Sequence, residues 1–439
     1  MIGIIGLILA IAVLIFGSYK GLGALPVTLL AALVAILTNG LDLWGSYATA
    51  YMGGYAGAYT GYFLIFIFSA LYAKFMEESG SATSIGYKLI DWFGNKHVML
   101  ILILITSVLT YGGVSLFVVI FAVGPIAYTL MKEANLPRHL IVAALVMGSS
   151  VYTMTSLPGT PALTNIIPTQ YLGTTMTAAP ILGIICSVVL FALCYIYCKW
   201  AEAQAVKRGE VWSYPEGTDV SKYEIADRAA LPSAWKAFLP IVILLLIIIV
   251  GGFWIADSTM LTVIAMLAGA VLCYLLNLPQ FKGKPMGSLL TNGLGGGISA
   301  IGGLAAVVAF GTVAQTTDAY QSIVSWLLSL DMHPYLKGIF STAVISGITG
   351  SSSGGLRLTL SSLTDYFVGS GCNLGILHRL MAIAAGSLDT LPHAAGLFLV
   401  LQVLGLNHKN SYKHIAAISI GAGMCALVVM IIMANVGIV

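Results

Sequence analysis

Seven stretches of the chain, 1–19, 21–41, 43–73, 98–131, 174–198, 237–256 and 415–439, contain no Asp, Glu, Lys or Arg. An apolar run of about 20 residues can span a bilayer as a helix, which satisfies its own backbone hydrogen bonds. This many runs in one chain points to an all-α polytopic membrane protein. Only 8% of the residues are charged, against about 25% in a soluble domain. The opening "MIGIIGLILAIAVLIF" lacks a basic lead and a small-residue cleavage site, and Lys20 follows it. It reads as a first membrane helix rather than a signal peptide. The cysteines Cys186, Cys194, Cys198, Cys273, Cys372 and Cys425 lie mostly in apolar segments, with no His or acid beside Cys194 and Cys198. Small buried apolar residues are expected there, with no metal and no cofactor.

The polar stretch 199–236 holds six basic and six acidic residues near the middle of the chain. It reads as a linker between a first membrane unit, 1–198, and a second, 237–439. The two units resemble each other. "EANLPRHLIVAALVMGSS" (133–150) lies on "GCNLGILHRLMAIAAGSL" (371–388) at an offset of 238, which also pairs Gly112 with Gly350 and Ser84-Ile85 with Ser322-Ile323. At an offset of 234, Leu157-Pro158 faces Leu391-Pro392.

Run 98–131 would be roughly 51 Å long as one helix, far more than a hydrocarbon core of about 30 Å. "TYGG" (110–113) interrupts it, and the first arm, 98–109, is too short to cross. We therefore expect a re-entrant hairpin with its tip near Gly112-Gly113. A second hairpin is expected with arms 335–346 and 356–370 around a tip at 347–355. Each is followed by a helix broken at Leu-Pro, near Pro158 and Pro392, because proline removes a donor and disfavours helix before it.

Five crossings and one hairpin per unit make the repeats inverted. Tracing the chain this way puts 16 of the 19 Lys and Arg on one side, leaving Lys337, Arg357 and Arg379 elsewhere. The positive-inside rule makes the richer side cytoplasmic. Linker 199–236 then lies in the cytoplasm, both termini lie outside, and the second hairpin enters from outside. The net charge of +3 gains meaning only through this map, and no nucleic-acid partner is expected.

Four polar interruptions should converge near the midplane: "TYGGVS" (110–115), "SLPGTPALTN" (156–165), "SGITGSSSGG" (346–355) and "SLDTLPHAAG" (387–396). Glycines let backbone N–H groups approach a ligand, broken helix N-termini favour anions, and hydroxyls add donors without charge. The candidate substrate-binding residues are Tyr111, Gly112, Gly113, Ser115, Thr160, Thr164, Asn165, Gly350, Ser351, Ser352, Ser353, Arg357 and His393. Asp389, with His393, is the candidate carrier of a coupling proton, since ionisable groups at membrane depth are costly. Arg357 has three open roles: clamping a carboxylate, pairing with Asp365 eight residues on, or meeting lipid headgroups. Glu77 and Glu78 read as an interfacial helix end.

Two other classes fit parts of this pattern. "GSSSG" (350–354) matches G-x-S-x-G, with Asp389 and His393 to complete an intramembrane serine hydrolase. That motif carries meaning on a strand-to-helix elbow, not between two apolar arms. A channel would also use hairpins and broken helices, although inverted repeats around a central site suit alternating access.

Along nearly its whole length the chain resembles the gluconate permease (GntP) family of the ion transporter superfamily, which includes 3-hydroxybutyrate-type permeases. "LPGTPALTN", "GITGSSSGG" and "LMAIAAGSLDTLPHAAG" carry the resemblance. It implies a homodimeric elevator-type symporter of the cell inner membrane that takes up a small carboxylate, often a hydroxy acid, with H+, or with Na+ as the alternative coupling ion. Gluconate carriers of the family have a histidine among the prolines of the first break. This chain reads "SLPGTP" there, which favours a shorter monocarboxylate such as 3-hydroxybutyrate over gluconate.

Overall fold

The structure, a computed structural model, describes residues 2–111, 116–160, 162–215, 228–251, 254–255 and 258–436. Among these the chain is helical, with no strand. The first half runs α1 (Ile2–Tyr19), α2 (Ala24–Thr38), α3 (Leu43–Glu78), α4 (Ser81–Phe93), α5 (Val98–Tyr111), α6 (Leu116–Glu133), α7 (141–155), α8 (Leu163–Leu172) and α9 (Pro180–Lys207). The second runs α10 (Ala234–Gly251), α11 (Ser258–Leu276), α12 (Met286–Gln315), α13 (Asp318–Ser329), α14 (Pro334–Thr349), α15 (Ser352–Gly369), α16 (Leu374–Leu388), α17 (Ala395–Val403) and α18 (His408–Asn435). Among the described residues six helices are long and apolar enough to cross a membrane, and α4 with α5 makes a further apolar pair bent by 102°. The protein is a polytopic all-α membrane protein.

Helices α3 and α12 form one body with α1, α2, α10 and α11. Their contact is the most extensive in the molecule, and α2 lies on α12 as α11 lies on α3. Glycine makes this close approach possible. A methyl group at Gly297 of α12 would sit 2.6 Å from the Ile67 Cα of α3. In a membrane, where lipid is as apolar as the helix, such small-residue contacts supply the packing.

The second body holds the interrupted helices. Helices α14 and α15 form a hairpin that lies on α16; α15 also meets α8, and α6 meets α17. The bodies join where α6 lies on α3 and α17 on α12. Among the described residues the counterpart pairs, α15 with α12 and α8 with α3, make no comparable contact. The junction is therefore one-sided. A cavity of about 1140 Å³ opens along it, lined by Lys74, Lys132, Glu133, Lys284 and Gln402, with Trp212 and Leu231 of the central linker at its edge.

Two boundaries differ from the sequence expectation. Helix α9 continues to Lys207, so the linker proper is shorter than 199–236. Ala-rich "AEAQAVK" favours helix, and Lys199 pairs with Glu202 at 2.9 Å within it. The second hairpin turns over Gly350 and Ser351 alone, with Ser352–Gly355 already in α15. Gly350 ends α14 with a φ of 60°, and Ser351 caps α15 by accepting from the Gly354 N–H at 3.2 Å. A glycine C-cap followed by a serine N-cap is enough to reverse the chain.

Candidate functional site: two broken helices and the hairpin turn against the second

The first break separates α7 from α8. Pro158 and Gly159, the latter with φ 84°, turn the chain away from the helix axis. Before it lies a π-helical turn, Met147–Val151, an irregularity frequent at functional sites. Tyr111, at the end of α5, donates to the Pro158 carbonyl at 3.3 Å, so the end of α5 touches the first break. Gly112, Gly113 and Ser115 lie outside the described residues.

Asn165 organises this break. Its Nδ2 donates to the Thr160 and Met176 carbonyls at 2.8 and 2.9 Å. Its Oδ1 accepts from Arg379 Nη1 at 3.0 Å and meets His378 Nε2 at 2.9 Å. Because Oδ1 is an acceptor, His378 donates through Nε2, and Nδ1 then accepts from Thr174 Oγ1 at 2.7 Å. Thr164 donates to the Met154 carbonyl. Thr160 is fully buried, and its Oγ1 has no partner.

The second break separates α16 from α17. Asp389 is the C-cap of α16, its Oδ1 is buried without a partner, and its carboxyl faces Ser352 at the start of α15. His393 is 2% exposed, and its ring faces the Gly347 and Ile348 backbone in the last turn of α14. It lies against the hairpin turn: a methyl group at Gly350 would sit 3.6 Å from His393 Cδ2 and 3.0 Å from the Ala394 Cα. Thr390 donates to Ser419, which donates to the Gly386 carbonyl, so α18 braces this break. Ser353 Oγ lies 3.4 Å from the capping Ser351 Oγ.

The structure thus brings together Asp389, His393, Gly350 and Ser351–Ser353 in one half, and Tyr111, Thr160, Thr164 and Asn165 in the other. The halves meet where α7 crosses α16. Arg357 stands apart. It is exposed on α15 and, among the described residues, makes no ion pair with Asp365 or any other acid. Arg379 and His378 escaped sequence reasoning as site residues. The available signal was an adjacent pair of ionisable groups within the otherwise apolar segment 374–388. Among the described residues no group of three His, Cys, Asp or Glu could hold a metal. Cys194 and Cys198 are buried in α9.

The family model described as "GntP family permease" matches residues 2–436. An "uncharacterized transporter YxjC" of Bacillus subtilis (strain 168) is 29% identical over 449 residues, covering 94% of this chain and 95% of that one. The solved structure of Neisseria gonorrhoeae MtrF, described as illuminating a class of antimetabolite efflux pumps, aligns over 89% of this chain and 84% of its own. Its TM-score of 0.42 at 13% identity is too low to carry an argument. The family match spans both bodies, both hairpins and both breaks, and on it the chain belongs to the GntP permease family, a membrane transporter rather than an enzyme.

Proposed function

We propose that this permease is a secondary active symporter that moves a small organic anion, a hydroxy monocarboxylate such as 3-hydroxybutyrate or gluconate, together with a proton. The observation that carries the reading is the meeting of Asp389 with Ser352 and of His393 with Gly350. An acid that ends a helix, with one oxygen buried and no ion pair among the described residues, is a group on which a proton can be loaded and released. The buried Thr160 hydroxyl suits the carboxylate, and the hydroxyls of Ser352 and Ser353 with the first-turn N–H groups of α15 suit the substrate's own hydroxyl. The body of interrupted helices moves as a unit against the α3–α12 body, as in an elevator, with the two halves of the chain inverted in the membrane. On this reading the linker side is the cytoplasm, both termini lie outside the inner membrane, and the large cavity is the cytoplasmic vestibule. The family resemblance supports a homodimer.

Counterflow in proteoliposomes with a panel of hydroxy acids, under a proton or a sodium gradient, tests the substrate and the ion together. Asp389→Asn is expected to keep exchange of preloaded substrate and to lose pH-driven accumulation. Accumulation equal to that of the unaltered protein would remove the proton role from Asp389.

A further inference from the structure

Among the described residues Arg379, on α16, is the largest side chain that is fully buried. Nη1 donates to the Thr155 carbonyl at 3.4 Å and to Asn165 Oδ1 at 3.0 Å; Nη2 donates to the Met176 and Ala178 carbonyls at 3.3 and 2.8 Å. Nε faces Gly183 and has no partner. All these acceptors are neutral, and among the described residues no carboxylate pairs with the guanidinium. Carbonyls solvate such a cation, but they do not neutralise it, and a buried charge ordinarily has a counter-charge.

The position gives that charge a use. Thr155 ends α7, so its carbonyl belongs to the negative end of a helix, which repels an anion. Arg379 covers that end and leaves the positive N-terminus of α8 as the other side of the break. The repeat makes the contrast plain. At the offset of 238 the counterpart of Arg379 is Ile141, and at the offset of 234 that holds around the breaks the counterpart of Asp389 is Thr155. One break has a cation at its helix end and the other has an acid. Arg379 reaches the loop through Asn165, whose Nδ2 holds the Thr160 carbonyl. The buried Thr160 hydroxyl, without a partner, is the donor left for a ligand.

We propose that Arg379 is the fixed positive charge that makes the first break the anion-binding half of the site, acting through Asn165 and Thr160 rather than by touching the substrate. The two breaks then divide the load, with the carboxylate at the first and the proton at Asp389 of the second. The proposal rests on the anion-symport reading given above, and it makes Arg379 a positioning residue that sets specificity for charge.

The test uses the full chain in proteoliposomes, with radiolabelled 3-hydroxybutyrate or the best hydroxy acid of the panel. Arg379→Lys keeps the charge and loses the fork. Arg379→Gln loses the charge and keeps a donor. We expect the glutamine variant to raise KM about 30-fold, the size expected when a full charge about 8 Å from an anion is removed at an effective dielectric of about 20, and the lysine variant to raise it only a few-fold. Both should retain the proton-to-substrate ratio. Asn165→Asp places a carboxylate against Arg379 and also removes the Nδ2 donor that holds the Thr160 carbonyl, so it should raise KM at least as much as Arg379→Gln, and it serves where the latter fails to fold. Lysine and glutamine variants with the same KM, or an unchanged KM in Asn165→Asp, overturn the proposal alone. Unaltered protein that carries no carboxylate overturns the transport reading and the proposal with it.

Discussion

Thr155 seats directly on Gly386: a methyl group added at Gly386 would lie 2.6 Å from Thr155 Cγ2. These residues belong to the last turns of α7 and α16, so the two broken helices touch at the points where each is about to break. The Thr155 hydroxyl is turned away, onto the Val151 carbonyl inside the π-helical turn. The contact surface is a methyl group against a bare backbone.

Gly386→Ala is therefore expected to push the breaks apart and cut transport at least about tenfold, since overpacking a fitted contact costs about 1–3 kcal/mol. Thr155→Ser removes the opposing methyl and keeps the hydroxyl. The double variant should recover most of the activity, and a double-mutant cycle of initial uptake rates measures the coupling. Additive losses would place the damage elsewhere.

Gly350 holds a left-handed turn and lies 3.0 Å, at its would-be Cβ, from the Ala394 Cα. Gly350→Ala adds about 1–2 kcal/mol of left-handed strain and a tight contact that the Ala394 backbone has to yield to. The expected result is a lower unfolding midpoint in detergent and loss of uptake. The same substitution at Gly287, where an added methyl meets nothing within 4 Å, should change neither and provides the control.

Gln402 of α17 reaches Ser299 of α12, donating to its Oγ at 2.9 Å and its carbonyl at 3.2 Å. If the two bodies slide, this contact must break in each cycle. Ser299→Cys with Gln402→Cys, in a chain whose own cysteines are replaced, should crosslink under mild oxidation and stop uptake, with recovery on reduction. A crosslinked protein that still transports would mean this junction is static.

His139 lies outside the membrane-spanning helices, at the mouth of α7. Burial lowers its pKa below the usual 6.5, against the opposing pull of Glu210, whose Oε2 is 3.2 Å from Nε2. The unfolded chain then takes up this proton more readily than the folded one. The stabilisation from the neutral form is complete above about pH 6.5 and fades as the pH falls below it. Melting midpoints in detergent should drop between pH 7 and pH 5.5, and His139→Gln should flatten part of that drop. An unchanged slope would assign it to other groups.

Much of the architecture could be read from the chain before folding. Charge-free runs imposed the membrane, and the Leu-Pro pairs at 157–158 and 391–392 marked both breaks, because proline acts on its own backbone and leaves a local signature. Asp389 stood out for the same reason, as the one carboxyl in an otherwise apolar stretch around 380–400. Boundaries set by capping were less so: "SGITGSSSGG" looked like a broad polar tip, and only the φ of Gly350 and the Ser351 cap reduce it to two residues. Arg379 was the least legible. Nothing near it in the chain shows that its partner is Asn165, 214 residues away, and a contact that distant leaves no spacing to read.

That separation bears on how the protein is made. The first break, complete in sequence once α8 has been synthesised, lacks its central strut until α16 emerges from the ribosome. Until then the Asn165 Oδ1 and the Thr155 carbonyl must be served by water or by the translocation machinery. The nascent first half therefore waits in the membrane as an unfinished structure, and a chain cut within the linker, expressed as two pieces, has to assemble through this buried arginine before the first break takes its final shape.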